Sequence, residues 1–160
     1  MHMILRQARE EDAPILYDLI LQMAAYEKDL DKVQTTLEQV RRTICRGEYA
    51  RAFLGEVEGK AVAYTVYFYA YSTYTGRPTL YLDDLYVQPE YRGYGLGKQI
   101  MIRLAKLAKE KDCRRFDWSC LEWNTPSIAF YQKLEAEQES GRLHFRLQGE
   151  ALDKVASIDE

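Results

Sequence analysis

Two carboxylates stand side by side at Asp83-Asp84, inside a run that is otherwise apolar: Leu80, Tyr81 and Leu82 before them, Leu85, Tyr86 and Val87 after. A charge in such a run needs a partner or a ligand; one carboxylate in a salt bridge and the other exposed is the alternative. Downstream, Gly93, Gly95 and Gly97 alternate, with Arg92 and Lys98 beside them. Glycines that lead into a helix expose backbone N–H groups at the positive end of the helix dipole, which makes an anion site suited to a pyrophosphate. A plain strand-to-helix turn is the alternative. Two phosphate fingerprints fail on spacing. In G-x-G-x-x-G the third glycine would fall on Lys98 or Ile100, and in G-x-x-x-x-G-K-[ST] Arg92 replaces the first glycine and Gln99 the hydroxyl.

Those residues need a scaffold, and the chain has the length and balance for one. Its 160 residues suit a single domain, 1–160, and 47% hydrophobic against 29% charged residues places it among globular rather than disordered chains. The net charge of −3 argues against a nucleic-acid partner. Cys45, Cys113 and Cys120 are odd in number and widely spaced, so neither a disulfide framework nor a metal site is expected. With no long apolar run and no leader pattern, a cytoplasmic protein without membrane contact is expected.

Periodicity predicts the elements. Met3 to Ala8 reads as a strand. Glu10-Glu11-Asp12 and Pro14 open a helix that ends near Tyr26-Glu27-Lys28. Thr35 and Glu38 form a capping-box pattern for a second helix, with Gly47 as its stop. Strands are expected over Arg51–Val57, Ala61–Tyr71 and Thr79–Val87, with turns at Glu58-Gly59-Lys60 and Thr75-Gly76-Arg77-Pro78. A helix from Gly95 carries Leu96, Ile100, Leu104 and Leu107 on one face. Arg114–Leu121 returns to strand. Thr125, as N-cap, and Pro126, at the first helical position, open a short helix, and Arg142–Leu147 alternates as a last strand. Helices mixed with hairpins give an α/β or α+β fold with a mixed sheet.

Arg92-x-x-Gly95-x-Gly97, preceded by Leu85-Tyr86-Val87-Gln88-Pro89, resembles the coenzyme-A signature of the GCN5-related N-acetyltransferase superfamily. Glu122-Trp123-Asn124-Thr125-Pro126-Ser127-Ile128-Ala129-Phe130-Tyr131 resembles that superfamily's segment in which an asparagine opens a short helix ending in Phe-Tyr. Taken with Leu80 to Val87, the pair is similar to the branch of diamine (spermidine/spermine) N-acetyltransferases and their thialysine-acetylating relatives. The resemblance implies a mostly antiparallel mixed, twisted sheet of about six to seven strands with about four helices.

It also implies acetyl transfer from acetyl-CoA to a primary amine of a small di- or polyamine or lysine-like amino acid, and a homodimer. Such an amine, with a pKa near ~10.4, must lose a proton before it attacks. The resemblance assigns Tyr131 as proton donor to the leaving thiolate and Asp83, where the branch has glutamate, as acceptor or relay of the amine proton. It puts acetyl-CoA against Leu85, Tyr86, Val87, Arg92, Gly93, Tyr94, Gly95, Leu96, Gly97, Lys98, Asn124, Ser127 and Tyr131. It puts the amine against Tyr26, Glu27, Asp83, Asp84 and Trp118. Successive strand residues face opposite sides, so Asp83 and Asp84 reach one amine only if the strand bulges there. A protein acetyltransferase and a non-catalytic acyl-CoA-binding module are the other readings of the same residues.

Overall fold

A computed structural model describes residues 1–159. They form two compact units, Met1–Ser119 and a second that begins at Cys120. The first is built on a five-stranded sheet whose spatial order follows the chain: β1 (Ile4–Gln7), β2 (Arg51–Val57), β3 (Lys60–Ser72), β4 (Arg77–Val87) and β5 (Arg115–Trp118). β1 to β4 pair antiparallel and β5 joins β4 in parallel, as a strand reached by a helical crossover must. The mixed, mostly antiparallel sheet is the one the sequence implies. Five strands form among the described residues rather than six or seven, because Arg142–Leu147 has no ladder partner there.

Helices α1 (Ala13–Tyr26) and α2 (Leu37–Val40) belong to one side of the sheet, and α3 (Leu96–Glu110) packs on β4 and β5. Leu16 and Leu19 of α1 and Val40 of α2 bury against Ala52, Leu54, Tyr64, Val66 and Tyr86. Leu96, Ile100, Leu104 and Leu107 are buried along α3, the stripe that a 3.6-residue period requires. Glu58 and Gly59 both take positive φ, which closes the β2–β3 hairpin in two residues. In the second unit, α4 (Thr125–Lys133) and α5 (Gly149–Ala156) are the regular elements.

Two caps differ from the sequence expectation. Thr36 and Gln39, not Thr35 and Glu38, form the capping box of α2. Both pairs match the pattern, and Val40 of the helix that results is fully buried. Asn124, not Thr125, is the N-cap of α4, so Thr125 and Pro126 are its first two residues.

Asp12 ties the first strand to the first helix. Arg6 donates to both its oxygens, at 2.7 and 2.8 Å, and to Glu56 at 2.9 Å, while the Arg9 amide donates to Asp12 at 2.8 Å. Arg6 holds the buried Asp12 carboxyl below the usual carboxylate range. Asp12→Ala is expected to cost about 2–3 kcal/mol at neutral pH, because it leaves Arg6 and the Arg9 amide without their acceptor. The depressed pKa means that this contribution is complete above the ordinary carboxylate pKa and fades as pH falls below it. Urea midpoints of Asp12→Ala and the wild-type chain should therefore differ at pH 7 and converge in acid.

Candidate functional site

β3 and β4 pair in register from Ala63–Val87 to Val66–Asp84, and resume at Tyr67–Leu82. Asp83 has no opposite residue, so it is the surplus residue of a β-bulge. The bulge resolves a conflict in the sequence. Asp84 pairs with Val66 on the face covered by α1, and Leu82 pairs with Tyr67 on the α3 face, where Tyr67 stacks on Phe53 beneath Arg103. In an unbroken strand Leu82 and Asp84 would share a face.

Asp84 is held. The Tyr64 hydroxyl donates to its Oδ2 at 2.9 Å and lies 3.2 Å from the Met23 sulfur. Burial, then the Asp83 charge, pushes Asp84 up to about 6; the Tyr64 hydrogen bond pulls the other way and the Glu27 charge adds to the rise. Glu27, just past the end of α1, is raised by burial and by Asp29 and Asp83. Asp83 is the more accessible of the pair, yet crowding by protein on its inner side raises it as well. The Asp83 charge thus acts on both Glu27 and Asp84, and the Glu27 charge acts on Asp84. Trp118 pairs with Leu82 in the β4–β5 ladder, one residue from the bulge. Tyr64 was not singled out from the sequence, although a phenol in a core strand signals a polar partner.

The glycine turn has the geometry of an anion cradle. Gly93 and Gly95 adopt φ of +84° and +78°, and a Cβ at either position would meet nothing within 4 Å. Left-handed backbone, not crowding within the chain, is what demands glycine there. Gly95 caps α3 without any side-chain acceptor, and the first intrahelical bond runs from Gln99 to Gly95. The amides of Leu96, Gly97 and Lys98 thus have no helical acceptor, the arrangement that receives a phosphate. Gly97 itself is helical, and a Cβ there would touch Leu85 Cδ2 at 3.8 Å, an ordinary van der Waals contact.

Side chains named with that turn divide in two. Tyr86, Val87 and Leu96 are buried and Leu85 is half-buried, so the strand and helix present backbone there, whereas Tyr94 and Lys98 are exposed. Arg92 donates from Nε to the Val87 carbonyl at 2.8 Å, and its guanidinium lies 4.5 Å from the Tyr26 ring centroid and 5.6 Å from that of Tyr86. It joins the turn to the end of α1 as well as adding charge.

In the second unit, Asn124 is buried and its Oδ1 accepts the Ser127 amide at 3.4 Å. Tyr131 is half-buried and lies 5.4 Å, ring to ring, from Phe130. α4 ends without a glycine: Glu135 takes a φ of +61°, and the amide of Ala136 closes back onto the Tyr131 carbonyl. Among the described residues, no group of three His, Cys, Asp or Glu side chains has a geometry that could hold a metal ion, and no helix is long and apolar enough to cross a membrane.

A parallel strand, a left-handed glycine turn and an uncapped helix start, with carboxylates on the neighbouring bulge, lie together on an α/β scaffold. The profile of the acetyltransferase (GNAT) family matches residues 7–135, and the chain belongs to that family as an N-acetyltransferase. A thialysine N-epsilon-acetyltransferase of Sus scrofa is 34% identical over 165 residues, covering 96% of each chain. A human spermidine/spermine N(1)-acetyltransferase-like protein 1 is 30% identical over 95% of this chain, which spans 23% of that longer protein. An integron cassette protein from the mobile metagenome of V. cholerae shares the fold, with a TM-score of 0.84, 19% identity and 99% of both chains covered.

Asp84 carries a cost in the free protein. Its folded pKa is raised, so its ionised form opposes folding, and stability is lost as pH rises through about 6. Asp84→Asn keeps an acceptor for Tyr64 and removes the charge. It is expected to stabilise the chain by about 1–2 kcal/mol near pH 8 and by almost nothing near pH 4, read from urea titrations at the two pH values.

Proposed function

We propose that this N-acetyltransferase acts on a primary amine of a small di- or polyamine or of a lysine-like amino acid. The observation that carries the reading is the bulge at Asp83, which brings two carboxylates and Glu27 into mutual electrostatic reach. Such a cluster attracts an alkylammonium ion. The names of the relatives, thialysine and spermidine/spermine acetyltransferases, support the same substrate class.

Acetyl-CoA, when bound, supplies an activated thioester. The open amides of Leu96, Gly97 and Lys98, with Gly93 and Gly95 free of side chains, fit its pyrophosphate. On the amine side, Asp84 and Glu27 hold the cation, and Asp83, more open to solvent, takes its proton and passes it outward. Tyr131 donates a proton to the departing thiolate. The odd number and wide spacing of Cys45, Cys113 and Cys120 fit a reducing cytoplasm. The chain works as a homodimer. Leu143 and Phe145, 84% and 85% exposed on alternate positions of an extended segment, are the support for an arm that buries on a second copy.

Incubation with acetyl-CoA and a panel of diamines, polyamines, lysine analogues and lysine-containing peptides, read by thiol release, tests the substrate class; turnover of peptides alone would refute it. Tyr131→Phe is expected to lower kcat about a hundredfold while weakening acetyl-CoA binding far less. Phe145→Asp should convert a dimer to a monomer in light scattering coupled to gel filtration.

A further inference from the structure

A core tyrosine rarely needs its hydroxyl for packing, since phenylalanine fills almost the same volume. Tyr64 is fully buried in β3, and its ring packs with Leu16 and Leu19 and lies 6.2 Å from that of Tyr86. Its hydroxyl has one proton to give and two neighbours, the Asp84 carboxylate and the Met23 thioether. The carboxylate is much the stronger acceptor, so the proton goes there and the sulfur is a contact. Tyr64 is not the ladder partner of Asp84, a place taken by Val66. It sits opposite Tyr86 and reaches Asp84 along the sheet diagonal.

The bulge places two carboxylates in sequence and the hydroxyl distinguishes them. Asp84 is half-buried and bonded to a group with no freedom to move, while Asp83 is exposed. We propose that Tyr64 is a positioning residue for the amine: its buried hydroxyl fixes the Asp84 carboxylate to receive the acceptor nitrogen and leaves Asp83 free to carry the proton away. The proposal rests on the amine-acetylating reading given above.

The groups facing Asp84 are Asp83 on its own strand, Glu27 beyond α1 and Tyr64 on β3. The two acids favour its protonated form, and the phenol favours its ionised form by donating to it. Loss of the hydroxyl should therefore raise the pKa of Asp84 and loosen its orientation together.

Tyr64→Phe separates this role from plain packing, because it keeps the ring. In the substrate-free protein, the Asp84 carboxyl carbon, followed by NMR on aspartate labelled with carbon-13 and assigned through Asp84→Asn, should titrate at higher pH in Tyr64→Phe than in the wild type. In turnover, the amine KM should rise about tenfold while the Kd for acetyl-CoA is unchanged, and the acid limb of kcat/KM should move up with the NMR midpoint. In an Asp84→Ala background, Tyr64→Phe should have no further effect on the amine KM. An unmoved midpoint in an active enzyme overturns the role of Tyr64 alone, as does an equal penalty in the Asp84→Ala background. A wild-type protein that binds acetyl-CoA but acetylates no small amine overturns the substrate reading and this proposal with it. A Tyr64→Phe chain that does not fold also overturns it, since the hydroxyl would then be a structural requirement first.

Discussion

One unpaired residue in the β3–β4 ladder decides what this sheet can do. A shift of one position turns every side chain of a strand to the other face. β4 exploits that rule within a single strand. Before Asp83 its apolar residues serve the α3 side, and after it Asp84 and Tyr86 turn toward α1. With a regular strand, either Leu82 would leave the α3 face or Asp84 would enter it. The surplus residue lets both sides be satisfied, and it places a carboxylate where the helix that covers the sheet comes to its end.

The site is assembled from two kinds of group with different physics. On one flank the chain offers bare backbone. Gly93 and Gly95 hold left-handed angles, and the start of α3 leaves amides pointing outward. Such donors recognise charge and shape and say little about the rest of the ligand. On the other flank stand side chains whose charges oppose one another. Glu27, Asp83 and Asp84 each keep a raised proton affinity, set first by burial. Arg92 lies between the flanks, bonded to the end of β4 and stacked on Tyr26.

Local features were legible in the sequence, and non-local ones were not. The left-handed glycines, the hairpin at Gly59 and the apolar stripe of α3 follow from residue type and period alone. The bulge is different. A strand cannot reveal which residue its neighbour will skip, so Asp83-Asp84 posed the question without answering it. Thr35 and Thr36 each begin a capping-box pattern, and residue type alone does not choose between them. Arg142–Leu147 has the alternation of a strand and no ladder among the described residues, because alternation describes a surface and not its partner. The partnership of Tyr64 with Asp84 is a tertiary contact across two strands, beyond the reach of any window along the chain.

The cap of α3 has a consequence for anyone who tries to harden this protein. Gly95 leaves that helix without the side-chain acceptor that most helices use. A side chain placed there to supply one would have to sit at a φ of +78°, which strains any residue but glycine, and away from the extended backbone from which a cap reaches its amides. Hardening that helix start therefore means moving the chain, and not only changing one residue.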